Sequence, residues 1–118
     1  MMNNRIEVND KRLTIVPIGL DKLWSFKSKL SIPLDHVVGA TIDAGIWKDQ
    51  KGIRNPGLGL PNKLAGTFIS QGERTFWNAI IKDDPIVIQL RNEEFVRIVV
   101  SMPRSQARQI VDRINSSI

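Results

Sequence analysis

The sequence predicts a mainly β domain that ends in one C-terminal α-helix. Three observations carry that prediction. Short runs of alternating apolar and polar residues recur between turn-forming residues from Arg5 to Val100, as half-buried strands require. Residues 64–100 hold four such runs in succession, which predicts a meander. Beyond Pro103 the period changes, and Ala107, Ile110, Val111 and Ile114 fall on one face of a helix. So many strands in one sheet are expected to fold over into a bent antiparallel sandwich or barrel, with the helix capping one end.

In chain order, residues 1–4 read as a loose tail. Arg5 to Val8 and Leu13 to Ile18 flank Asn9-Asp10-Lys11 and read as a hairpin. Ile6/Val8 and Leu13/Ile15 supply its buried face. Pro17 has no N–H to donate and belongs at a strand end or edge. Leu20, Leu23 and Trp24 share one side of a short helical segment. Phe26, Ser28, Leu30 and Ile32 alternate with Lys27, Lys29 and Ser31 in a strand that Pro33 ends, and Val37 to Ile42 forms the next. Leu64 to Ser70 and Arg74 to Ile81 pair across Gln71-Gly72-Glu73. Pro85 to Leu90 and Phe95 to Val100 pair across residues 91–94. In the final helix Ser101 or Met102 is expected near the cap, with Pro103 in the first turn. Arg104, Arg108, Asp112 and Asn115 take the helix face opposite the apolar stripe.

A chain of 118 residues is expected to form a single domain, residues 1–118, able to bury its apolar side chains without disulfide or metal. The absence of Cys excludes thiol chemistry and thiolate zinc sites, and it fits a reducing compartment. A single histidine, His36, excludes a His cluster within one chain and has no nucleophile motif beside it, so a structural or exposed position is expected. No secretory signal is read in MMNNRIEVND, and no apolar run approaches membrane-spanning length. A cytoplasmic location is expected.

The stretch from Ile46 to Asn78 is the candidate functional region. Residues 46–82 carry six basic side chains against two acidic ones, whereas residues 83–118 balance. The span 44–63, rich in Gly and Pro, is expected to be one long loop, and long loops are usually functional or mobile. Its candidate binding residues are Trp47, Lys48, Lys51, Arg54 and Lys63. Trp47 reads equally as an exposed anchor or as a plug at a sheet corner. Phe76 and Trp77 are neighbours in a strand, so one faces the core and the other faces out. An outward aromatic would mark a contact between copies. Gly57-Leu58-Gly59 lacks the third glycine and the strand-to-helix setting of a phosphate loop, so these glycines read as turn formers.

Ser31-Ile32-Pro33-Leu34-Asp35-His36-Val37, Trp47, Arg54 to Pro61, Ala65-Gly66-Thr67-Phe68 and Phe76-Trp77, in that order and spacing, resemble the bacterial pleckstrin-homology-like domains. The likeness runs from about Leu13 to Ile114. It implies a strongly bent pair of antiparallel sheets of about seven strands with a capping helix, and a role in binding or assembly. Some eukaryotic relatives bind lipid headgroups through a basic loop between the first two strands. Lys27 and Lys29 are the only charges placed to serve there, and that specificity is not implied for this chain.

Enzyme activity is the weakest expectation. Nucleophilic catalysis needs a nucleophile beside a base, and the acidic pairs Asp83-Asp84 and Glu93-Glu94 fall in turns, where backbone geometry favours them. A non-catalytic binding or assembly module is expected instead, acting through a protein partner or a second copy, with no cofactor and no metal. The alternative is attraction of residues 48–63 to an anionic membrane surface. At about 1 kcal/mol per basic residue this gives weak, salt-sensitive attachment. Nucleic acid is disfavoured, because no stacking motif or basic helix accompanies the charge.

Overall fold

The computed structural model describes residues 4–18, 29–48, 53–60 and 63–118, with the backbone alone described over 53–60. The described residues form a three-stranded sheet packed on a six-stranded sheet, with one α-helix at the C-terminal end. The two sheets form a sandwich and are not closed into a barrel. The short helical segment expected at 20–24, and Phe26, Lys27 and Ser28 of the strand expected there, lie outside the described residues.

The smaller sheet begins with β1 (Asn4–Val8) and β2 (Arg12–Pro17), which pair antiparallel as expected. Asn9 sets the turn: its Oδ1 accepts the backbone N–H groups of Lys11 and Arg12, both at 2.8 Å. β3 (Leu30–Pro33) pairs with the other side of β2 and turns Leu30 and Ile32 inward. Asn4, assigned above to a loose tail, is instead fully buried. Its Nδ2 donates to the carbonyls of Asn78 at 3.0 Å and Ser101 at 3.1 Å, and its Oδ1 accepts from Asn78 Nδ2 at 2.8 Å. A polar side chain is held there because it joins the start of the smaller sheet to two strands of the larger one.

The larger sheet comprises β4 (Val37–Ile42), β5 (Ile53–Leu60), β6 (Lys63–Ser70), β7 (Glu73–Ile80), β8 (Asp84–Leu90) and β9 (Phe95–Met102). Two expectations are corrected here. The span 44–63 is not one long loop, for it carries a 3-10 turn over Ala44–Lys48 and the whole of β5. Nor do the last four strands form a meander. The order is β4-β8-β9-β7-β6-β5, with β9 inserted between β8 and β7 and parallel to β7. The physical reason lies in β9 itself. Ile98 to Met102 are all buried, and a strand covered on both faces takes a central position.

The inner faces of both sheets share one core. Leu13, Ile15 and Ile32 of the smaller sheet meet Phe76, Ile86, Ile88, Ile98 and Val100 of the larger one. The helix α1 (Arg104–Ser116) closes this core with Ala107, Val111 and Ile114, on the stripe read from the sequence. Ser101 does not cap it. Its Oγ accepts the backbone N–H of Ile80 at 3.0 Å, and Pro103 holds the N-cap position without a side-chain bond. Asn115, expected on the outer face of the helix, turns back to the sheet. Its Oδ1 accepts the N–H of Ala40 and its Nδ2 donates to the Ala40 carbonyl, both at 2.9 Å. The side-chain amide thus stands in for a neighbouring strand at the outer edge of β4.

His36 lies at a junction of two turns. It ends the 3-10 turn Leu34–His36, and its Nδ1 pairs with Glu93 Oε2. Arg91 completes this clamp between two turns: its backbone N–H donates to the His36 carbonyl and its Nε to the Asp35 carbonyl, each at 2.9 Å. Among the described residues no helix is long and apolar enough to cross a membrane.

Candidate functional site

Successive side chains of a strand point to opposite faces, so the two aromatics of β7 part company. Phe76 enters the sandwich core, with its ring 5.9 Å from that of Phe95. Trp77 lies on the other, outer face of the larger sheet. Its cross-strand neighbours there are Val99 and Gly66, and Gly66 pairs in turn with Gly57. Gly66 has a φ of 120°, a conformation that glycine adopts without steric cost.

The chain covers this outward aromatic itself. The 3-10 turn Ala44–Lys48 brings Ile46 and Trp47 to it, leaving Trp77 only 2% exposed. The Trp47 and Trp77 rings are 5.4 Å apart and tilted by 54°, and Phe68 meets Trp77 edge-on at 6.4 Å. Leu64, Ala79, Val87 and Val99 complete a second apolar cluster. Trp77 therefore faces outward from the sandwich without being free for a contact between copies. Of the two readings of Trp47, the half-buried plug describes its position.

One row further along the same face, the side chains turn polar. Gln89 lies opposite Arg97, and Arg97 opposite Thr75. This band lies in a cleft of about 360 Å³, bordered by Asp43 and Ile46 on one side and by the β6–β7 turn on the other. Arg97 Nη1 donates to Thr75 Oγ1 at 3.1 Å, and Nη2 lies 3.8 Å from Glu73 Oε1. Asp43 Oδ1 accepts the N–H of Gly45 at 3.0 Å and so fixes the start of the 3-10 turn. Gln71 and Gly72 make the β6–β7 turn with φ values of 55° and 79°. Two positive φ values suit a tight hairpin, but a glutamine there departs from the usual Asn, Asp or Gly.

Two of the basic candidates, Arg54 and Lys63, stand well apart. Lys48 is exposed at the end of the 3-10 turn. Arg54 pairs with Phe68 near one end of the β5–β6 ladder, and Lys63 pairs with Leu60 at the other. At about 3.3 Å per residue, that sets them roughly 20 Å apart. Lys51 lies outside the described residues. β5 carries a single charged residue, Arg54, and ends the larger sheet on the side away from β4. The two ends of the sheet differ: Asn115 occupies the edge of β4, whereas no strand lies beyond β5 among the described residues.

Among the described residues no group of three or more His, Cys, Asp or Glu side chains is placed to hold a metal ion. Gln89, Arg97 and Thr75 went unnoticed in the sequence, where a polar residue alternating in a strand reads as solvent-facing. The available signal was the Gln71-Gly72 dipeptide itself, an uncommon choice for a hairpin turn. Comparison with protein-family models, curated proteins and solved structures finds no match to this chain.

Proposed function

We propose that this chain is a non-catalytic binding module that takes an extended, acidic segment of a partner protein as an added strand along β5. The observation that carries the reading is the contrast between the two edges of the larger sheet. An open strand edge presents N–H and C=O groups in a row, and pairing with an added strand is the physical use of such a row. The charge of the 46–82 region selects the partner. Arg54 belongs to β5, and Lys48 and Lys51 precede it closely in sequence, so an acidic segment gains attraction, whereas the same stretch of a second copy would set basic against basic. Pro56, without an N–H, falls in the irregularity between Arg54 and Gly57 and leaves 57–60 as the regular pairing run. The resemblance to bacterial pleckstrin-homology-like domains supports the same class of role.

The test begins with molar mass by light scattering at low and high salt, followed by calorimetric titration with an acidic, β-prone peptide. A monomer that binds the peptide at low salt, and loses it when Lys48, Lys51 and Arg54 are changed to Gln, supports the reading. A discrete oligomer that persists in high salt assigns the edge to a second copy and overturns it. Attachment to anionic vesicles with no peptide binding favours the membrane-surface alternative.

A further inference from the structure

From the outer-face cleft, a surface separate from the β5 edge, we infer a second binding site: a pocket for a small, uncharged, polyhydroxylated ligand such as a saccharide unit. The cleft volume of about 360 Å³ falls at the lower end of the range of small-molecule sites. Its lining carries carboxylates at Asp43 and Glu73 and a guanidinium at Arg97, so a cation and an anion would each meet a like charge. A neutral ligand avoids both penalties.

The remaining polar side chains fit hydroxyl groups. Thr41, Ser70, Thr75, Gln71 and Gln89 each both donate and accept hydrogen bonds, as a sugar hydroxyl does, while the carboxylates accept and Arg97 donates. Ile46, Trp77 and Val87 lie at the base of the cleft but are buried, so the contacts it offers a ligand are mainly polar. Within the cleft Arg97 is already oriented by Thr75 and, more loosely, by Glu73. Gln71 holds a left-handed backbone conformation that Asn or Gly would take at less cost, and strained positions of this kind concentrate at ligand sites.

A ligand of monosaccharide size is expected to bind with a Kd of about 1 mM. The test is a heteronuclear NMR titration of the intact chain with glucose, N-acetylglucosamine and maltose, with glycine and lysine as charged comparators. Saturable shifts at the amides of Thr75, Gln89 and Arg97 and at the Trp77 indole, with at least one saccharide, are expected. Gln89→Ala, an exposed site that leaves the fold intact, should weaken binding about tenfold, equivalent to loss of one good hydrogen bond, while Lys11→Gln, exposed and outside the cleft, should not change it. Binding of the amino acids in preference to the sugars overturns the assignment. So do saccharide shifts confined to other surfaces, or none at concentrations well above that Kd. Because neither probe nor variant involves β5, failure here leaves the peptide result to stand or fall separately.

Discussion

Replacing Asn4 tests how the two sheets are joined. Its side chain takes part in three hydrogen bonds at 2.8–3.1 Å and is fully buried. At about 1 kcal/mol net for each bond, Asn4→Ala should destabilise the domain by about 3 kcal/mol. The loss arises because three buried hydrogen bonds are removed by one truncation. With a urea m-value of about 1.5 kcal/mol/M, the unfolding midpoint should fall by about 2 M. Two companions separate polar pairing from volume. Asn4→Leu restores most of the bulk but none of the bonds, and should remain close to the alanine variant. Asn4→Asp turns the donor that faces two carbonyl oxygens into an acceptor and should be worse than either. Recovery of wild-type stability in Asn4→Leu, or an Asn4→Asp variant milder than Asn4→Ala, would refute the argument.

Other perturbations follow from particular contacts. Trp47→Ala uncovers Trp77 and should cost about 2 kcal/mol, less than a fully buried tryptophan would; a red-shifted indole emission should accompany it, and unchanged emission would count against the plug. Asn115→Ala should cost only about 1 kcal/mol, since its two bonds lie near solvent. It should also make the protein associate in a concentration-dependent way through the bared edge of β4, which sedimentation would detect. Gln71→Gly should raise stability by about 1 kcal/mol by relieving the left-handed backbone, and a fall in the thermal midpoint would contradict that.

Local features of the fold were legible in the sequence, and non-local ones were not. The Asn9 turn, the Gln71-Gly72 hairpin and the Ala107/Val111/Ile114 stripe are written within a few residues, and the structure places each as read. β5 was missed because Gly57, Gly59 and Pro56 carry loop chemistry. Both glycines lie in the regular part of the ladder, and Gly57 shares a row with Gly66 beside Trp77. Strand order was missed because hairpin signals report which runs can pair, and nothing local reports a strand inserted later. Asn4 and Asn115 act on residues far along the chain, so their partners could not be read from position. Of the candidate site, Trp47 and the basic residues were named from composition, whereas the polar cleft depends on register across β8, β9 and β7.

The insertion of β9 also sets an order in time. During synthesis the chain delivers β7 first, then β8, and only then the strand that must lie between them. Until residue 102 has emerged, β7 has an open edge beside β6, and its long-range partner does not yet exist. A nascent chain stalled before β9 therefore carries a strand with one unpaired edge that bears Phe76 and Trp77, the features that promote wrong pairing with other chains. The segment from Phe95 to Ser116 acts as a wedge as well as a cap, and the arrival of β9 is the step that joins the β4–β8 pair to the three strands β5, β6 and β7 as one sheet.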